Sequence, residues 1–226
     1  IFGLLGPNGA GKSTSFKMMC GLTKPSGGTA RIMGVDILKN PGKARSFLGY
    51  MAQKFSLYGT LTVRQNLEFF AAAYGISFLN RKKRVDEIIE VFGFKDIENQ
   101  KSEDLPLGFK QRLSMACALI HNPPVLFLDE PTSALDPIAE NAMYENIASI
   151  LTQKSCIFIS HRLASAKMAD RILVLSKGQI QEEGSHAELM ERGGIYADMY
   201  RMQSSWYENH GSESCLLYTS PSPRDA

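Results

Sequence analysis

The chain has no run of about 18 apolar residues, so hydropathy excludes a transmembrane helix. It has little excess charge. A net charge of +2 gives no argument for a nucleic-acid partner or an anionic membrane surface, and no nucleic acid is expected. It is poor in cysteine, with Cys20, Cys117, Cys156 and Cys215 at spacings that suit no metal. Three of them sit in apolar stretches, which reads as reduced, buried thiols of a cytosolic protein. No signal-peptide pattern precedes the first motif. What is present is ordinary for a soluble globular chain: 226 residues, 44% hydrophobic and 21% charged, enough for one domain with room for a subdomain.

The segment Gly6-Pro7-Asn8-Gly9-Ala10-Gly11-Lys12-Ser13-Thr14 fits the pattern G-x-x-x-x-G-K-[ST]. An apolar run, Ile1-Phe2-Gly3-Leu4-Leu5, precedes it as a buried strand would. Phe16-Lys17-Met18-Met19-Cys20 follows without glycine or proline, as a helix would. Chemistry requires that order. Glycines let the backbone curl into a nest of N–H groups, and a helix N-terminus adds unpaired donors and partial positive charge. Lys12 can then reach the β- and γ-phosphates, and the Ser13 hydroxyl can ligate Mg²⁺. The chain is expected to bind a nucleoside triphosphate.

Further along, residues 29–33 and 47–51 read as short strands. Thr62 with Gln65 resembles a capping box before a helix that carries Val63, Leu67, Phe70 and Ala71 on one face. Asn80 is placed to cap a second helix, with Val85, Ile88, Ile89 and Phe92 inward and Arg81-Lys82-Lys83-Arg84 as a solvated first turn. Val125-Leu126-Phe127-Leu128 reads as a buried strand ending in Asp129-Glu130. A helix over about 138–151 leads to a strand at 156–159, and a hairpin turns at Lys177-Gly178. Alternating strands and helices imply an α/β fold with a mostly parallel sheet, whose ligands sit beyond the carboxyl ends of the strands. Asp129 can hold Mg²⁺ through water, while Glu130 can orient or deprotonate an attacking water.

With those residues in hand, the chain resembles the ATP-binding cassette family, the ATPase subunits of ABC transporters, over about residues 1–209. The motifs come in family order: the phosphate loop, Gln53, a signature region at residues 105–111, Asp129-Glu130-Pro131-Thr132, Ser133-Ala134-Leu135-Asp136 and His161. The resemblance implies a P-loop NTPase of ABC type, with a nucleotide-binding core (residues 1–54 and 122–208) and an inserted helical subdomain (55–121). It implies that Gln53 approaches Mg²⁺ and the attacking water, and also couples to a transmembrane permease subunit. His161 would contact the γ-phosphate. Leu105, Gly108 and Asp136 would lie at the interface with a second ATPase domain, in a head-to-tail dimer closed by ATP. The implied function is ATP hydrolysis that powers export. The chain would be cytoplasmic, peripheral on the inner face of the cell membrane. A soluble ABC ATPase acting on ribosomes or DNA-repair complexes is the alternative from another class.

Two features depart from the family pattern. The signature Leu-Ser-Gly-Gly-Gln is replaced by Leu105-Pro106-Leu107-Gly108-Phe109, so Pro106 supplies no hydroxyl. The adenine-stacking aromatic belongs upstream of Ile1, and N-terminal truncation is expected. The first half is similar to stand-alone ATPases of ABC-2-type multidrug exporters. The second, from about Pro137, is similar to ATPases fused behind transmembrane helices. The change falls at residues 128–136, which raises the alternative of a chimeric fragment without physiological activity. Residues 209–226 read as a disordered tail, and the stretch from Cys215 to Ala226 resembles a translated sequencing adapter.

Overall fold

The computed structural model describes residues 1–53, 56–131, 154–160 and 163–210. The expected helix at 138–151, Asp136 and His161 lie outside them, as do the residues after His210.

The fold centres on β1 (Phe2–Leu5), which lies between β6 (Ser155–Ile159) and β7 (Arg171–Ser176) and runs parallel to both. Beyond β6 come β5 (Val125–Asp129) and then β4 (Leu48–Met51), again parallel. On the other side β8 (Gln179–Gly184) closes the sheet as the antiparallel partner of β7, giving the order β4-β5-β6-β1-β7-β8. A parallel strand covered on both faces must be apolar on both, and β5 meets that demand with Val-Leu-Phe-Leu before its terminal Asp129. Successive side chains then serve different cores. Leu4, Phe127, Ile159 and Leu175 face one side, while Leu5, Leu126, Leu128 and Val174 face the other.

The first core is filled by α1 (Lys12–Met19), whose Phe16 is fully buried and stacks on Phe127 with ring centroids 5.0 Å apart. That contact seats the helix after the phosphate loop directly on the strand that ends in Asp129. The same core takes Ile32 of β2 (Arg31–Ile32) and Ala44 of α2 (Pro41–Ser46). The strand expected over 29–33 is shorter, because it turns back at once into β3 (Val35–Asp36). Met33 and Gly34 both have positive φ, 49° and 76°, the backbone of a two-residue hairpin whose twist matches its strands.

Between β4 and β5 the chain inserts α3 (Val63–Ala73), α4 (Phe78–Val91) and α5 (Leu107–Leu119) on the second core. The capping box at the start of α3 is complete: Thr62 accepts from the Gln65 backbone, and the Gln65 side chain accepts from Thr62 N. The start of α4 differs from expectation. Ser77 occupies the N-cap position and Asn80 falls inside the first turn, because helical bonds already run from Asn80 and Arg81 back to the Ser77 carbonyl. The basic run is also only half solvated. Lys82 and Lys83 are exposed, but Arg84 turns inward and donates to the carbonyls of Ile120 (2.8 Å) and Leu119 (3.2 Å), closing the C-terminus of α5. After β8 come α6 (His186–Arg192) and α7 (Ile195–His210), whose first two amides are held by the Glu182 carboxylate at 2.7 and 2.9 Å.

Candidate functional site

The loop between β1 and α1 is shaped by glycines in conformations other residues resist. Gly6 has φ 144°, and a Cβ there would sit 2.0 Å from the Leu175 carbonyl oxygen. Only glycine lets the loop pass that close to β7. Gly11 stands at the N-cap of α1 with φ 101°, and the helix end has neither a side-chain cap nor an acidic residue in its first turn. Its leading N–H groups therefore point into the space the loop encloses, without side-chain acceptors of their own.

Lys12 is almost fully buried, and its ammonium donates to the Gly6 and Pro7 carbonyls at 2.7 and 3.0 Å. Burial lowers its pKa, and the charges of Glu130 and Asp129 act against that shift. Asp129 is buried at the end of β5. Glu130 follows with φ 53°, a left-handed backbone that costs a non-glycine residue about 1–3 kcal/mol and is found at functional sites. A bond from Glu130 N to the Ile159 carbonyl (3.0 Å) holds that turn against β6. From the end of β4, Gln53 Nε2 donates to Glu130 Oε2 at 2.7 Å, joining residues 77 apart in sequence.

The result is a cleft of about 380 Å³ lined by Asn8, Gly9, Ala10, Gly11, Lys12, Ser13, Thr14, Gln53 and Glu130. It opens beyond the carboxyl ends of β1, β4 and β5, where an α/β sheet places its ligand. Gly6 and Pro7 lie behind it as acceptors for Lys12. Of the signature region, Gly108 is in the first turn of α5, which starts after Pro106 without a side-chain cap. The Leu105 side chain packs into this chain's own core, 4% exposed. Among the described residues no group of three or more His, Cys, Asp or Glu is placed to hold a metal. The oxygen donors that line the cleft are Ser13, Gln53 and the Glu130 carboxylate, with Asp129 buried next to Glu130 at the end of β5.

Known proteins resemble this chain over most of its length. Residues 1–133 match the family described as ABC transporter. The chain belongs to that family. It carries the ATPase domain: a P-loop α/β cassette with a mostly parallel sheet. Over 190 residues, 84% of the chain, it is 48% identical to the probable multidrug ABC transporter ATP-binding protein YbhF of Escherichia coli (strain K12). It spans 33% of the length of that protein. It is 36% identical over 195 residues to the linearmycin resistance ATP-binding protein LnrL of Bacillus subtilis (strain 168), covering 85% of this chain and 63% of LnrL. Among solved structures, a bacterial Atm1-family ABC exporter with ATP bound superposes with a TM-score of 0.79 at 31% identity, over 90% of this chain and 36% of that one. A dimeric ATP-binding cassette in a post-hydrolysis state, bound to ADP and Pi, superposes with a TM-score of 0.73 at 27% identity, over 82% of this chain and 84% of that one.

One contact at the cleft has no motif to announce it. The turn of the β7–β8 hairpin rests on the phosphate loop, with Gly178 N donating to the Ala10 carbonyl at 3.0 Å. Lys177-Gly178 is legible as a turn, but nothing in those two residues says which loop the turn touches.

Proposed function

We propose that this ABC cassette binds ATP in the cleft and hydrolyses it to power export through a separate transmembrane permease. The observation that carries the reading is the convergence of Lys12, Gln53 and Glu130 on one cleft at the ends of three strands. The names of its relatives, a probable multidrug transporter subunit and a linearmycin resistance protein, support drug-exporter chemistry. The α1 N-terminus and the loop amides would receive the phosphates, and Lys12 would exchange its carbonyl partners for β- and γ-phosphate oxygens.

Ser13, Gln53 and Asp129 offer the hard oxygen donors that suit Mg²⁺, with substrate phosphates and water completing the shell. Mg²⁺ bound there would neutralise charge on the phosphates. Glu130 would orient or deprotonate the attacking water, and His161 would contact the γ-phosphate. Two cassettes would close head to tail, with Gly108, the α5 N-terminus and Asp136 facing the partner's phosphate loop. Pro106 brings no hydroxyl to that contact, so backbone N–H groups and the helix dipole would carry it. No helix among the described residues is long and apolar enough to cross a membrane. The cassette would be seated against a permease on the inner membrane face.

Glu130→Gln tests the division of labour. It keeps the shape and the hydrogen bond to Gln53 but removes the base. ATP binding is expected to stay within a few-fold of the parent, while turnover falls about 10²–10⁴-fold. Unchanged turnover removes Glu130 from the water-activating role, and loss of ATP binding reassigns it to the architecture of the cleft.

A further inference from the structure

We infer that Asn66 and Ser102 are positioning residues that lock residues 58–61, downstream of Gln53 in the chain, to the segment entering the signature region, so that the two move as one unit. The inference rests on the proposed ATPase reading for its effect on turnover, though not for the mechanical tie itself.

Asn66 lies on the apolar face of α3 between Val63 and Leu67, and all three are completely buried. A leucine would satisfy packing at such a position. Instead the asparagine spends its amide on a junction of two remote segments. Its Oδ1 accepts from Tyr58 N at 2.9 Å, which fixes the orientation of the amide. Its Nδ2 donates among the carbonyls of Tyr58 (3.1 Å), Leu61 (3.2 Å) and Thr62 (3.0 Å) and Ser102 Oγ (3.3 Å). Ser102 is 2% exposed, and its hydroxyl donates to the Tyr58 carbonyl at 2.8 Å.

Around this pair the backbones are zipped together. Ser102 N donates to Leu61 O (2.9 Å), Glu103 N to Gly59 O (3.1 Å), Val63 N to Gln100 O and Arg64 N to Glu98 O (both 3.0 Å). Arg64 adds an ion pair to Glu98 at 2.6 Å. Tyr58 is five residues after Gln53, and Ser102 is three before Leu105. The junction therefore sits between the residue that reaches Glu130 and the helix start that carries Gly108. A fully satisfied buried polar network specifies one arrangement of the segments it joins, which an apolar contact of equal volume does not. A shift that reaches Tyr58 along the chain from Gln53 would thus be carried to the α5 N-terminus through Ser102.

The test uses the full chain with Ser102→Ala and Asn66→Ala, and Ser102→Thr as the variant that keeps the hydroxyl. Amide hydrogen exchange is read first. Both alanine variants are expected to speed exchange about tenfold in residues 56–61 and 98–104 together, with the phosphate-loop amides unchanged; Ser102→Thr restores the parent rates. Acceleration confined to the neighbourhood of the substituted residue overturns the tie. ATP affinity and turnover are read next. In Ser102→Ala, Kd for ATP is expected within about twofold of the parent while kcat falls about tenfold, and the fall disappears in a Gln53→Ala background. An undiminished kcat, or an equal loss in the Gln53→Ala background, overturns the positioning role. A parent that binds ATP without turning it over defeats the ATPase reading instead, and the exchange result still decides the tie.

Discussion

The N-termini of α1 and α3 make opposite use of the same backbone problem. Every helix starts with N–H groups that have no partner inside it. At α3 the problem is solved locally, because Thr62 and Gln65 close a reciprocal capping box. At α1 it is left open: Gly11 has no side chain to offer, and the first turn is Lys-Ser-Thr with no acid. The same contrast holds for polar groups buried in the two regions. Lys12 is held in the cleft wall by two carbonyls that a phosphate could replace, whereas Asn66 is consumed by contacts with four residues of its own chain. Polar chemistry committed inward builds structure, and polar chemistry held in exchangeable contacts serves a ligand.

The largest expected effect comes from removing the cation at the open end. Lys12→Ala eliminates charge-assisted contacts each worth about 1.5–3 kcal/mol, so the Kd for ATP should rise by about 100-fold or more. Direct titration of nucleotide measures it. An unchanged affinity would break the contrast, since the open helix end would then not be a phosphate site.

A smaller effect, on stability and not on binding, is expected at the seam between the helical insertion and the sheet. There His121 stacks on Tyr74 with ring centroids 3.7 Å apart. Burial, helped by the positive charges of Lys154 and Arg84 and opposed by a backbone contact at Leu48, takes its pKa from 6.5 down to about 4. The unfolded chain therefore picks up this proton first as pH falls. The stabilisation is complete above about pH 6.5 and drains away through the window down to about pH 4. His121→Phe keeps the stack and removes the titration. Urea midpoints measured across that window should fall less steeply with decreasing pH for the variant than for the parent; parallel slopes would assign the acid sensitivity elsewhere.

The smallest effect belongs to the closed helix end. Thr62→Ala should lower the unfolding free energy by about 1 kcal/mol, with the Kd for ATP within twofold of the parent. If ATP affinity fell as far as it does in Lys12→Ala, the two helix ends would not divide into structural and ligand-binding classes.

These contrasts were legible in the chain to different degrees. The capping box at Thr62 and the phosphate loop are local patterns, and each has the form that its spacing implies. The start of α4 lies at Ser77 and not at Asn80, because several polar residues there can cap a helix and local pattern does not choose among them. Arg84 looked solvated from its neighbours and is not, because its partners at Leu119 and Ile120 lie 35 and 36 residues away. Asn66 did carry a signal, a polar residue in register with Val63 and Leu67. The signal named an inward face without naming what waits there.

The sequence by itself determined the alternation of strands and helices, the phosphate loop and the carboxylate pair after an apolar strand. Those follow from backbone sterics, hydrophobic period and residue chemistry within about a dozen positions. The tertiary structure alone decided that Gln53 meets Glu130, that the Lys177-Gly178 turn braces Ala10, and that Asn66 meets Ser102. Their hydrogen bonds, at 2.7, 3.0 and 3.3 Å, join residues from 36 to 168 apart in sequence. No local pattern encodes such a meeting, because the order of the strands and the seating of the helices set which ends arrive side by side.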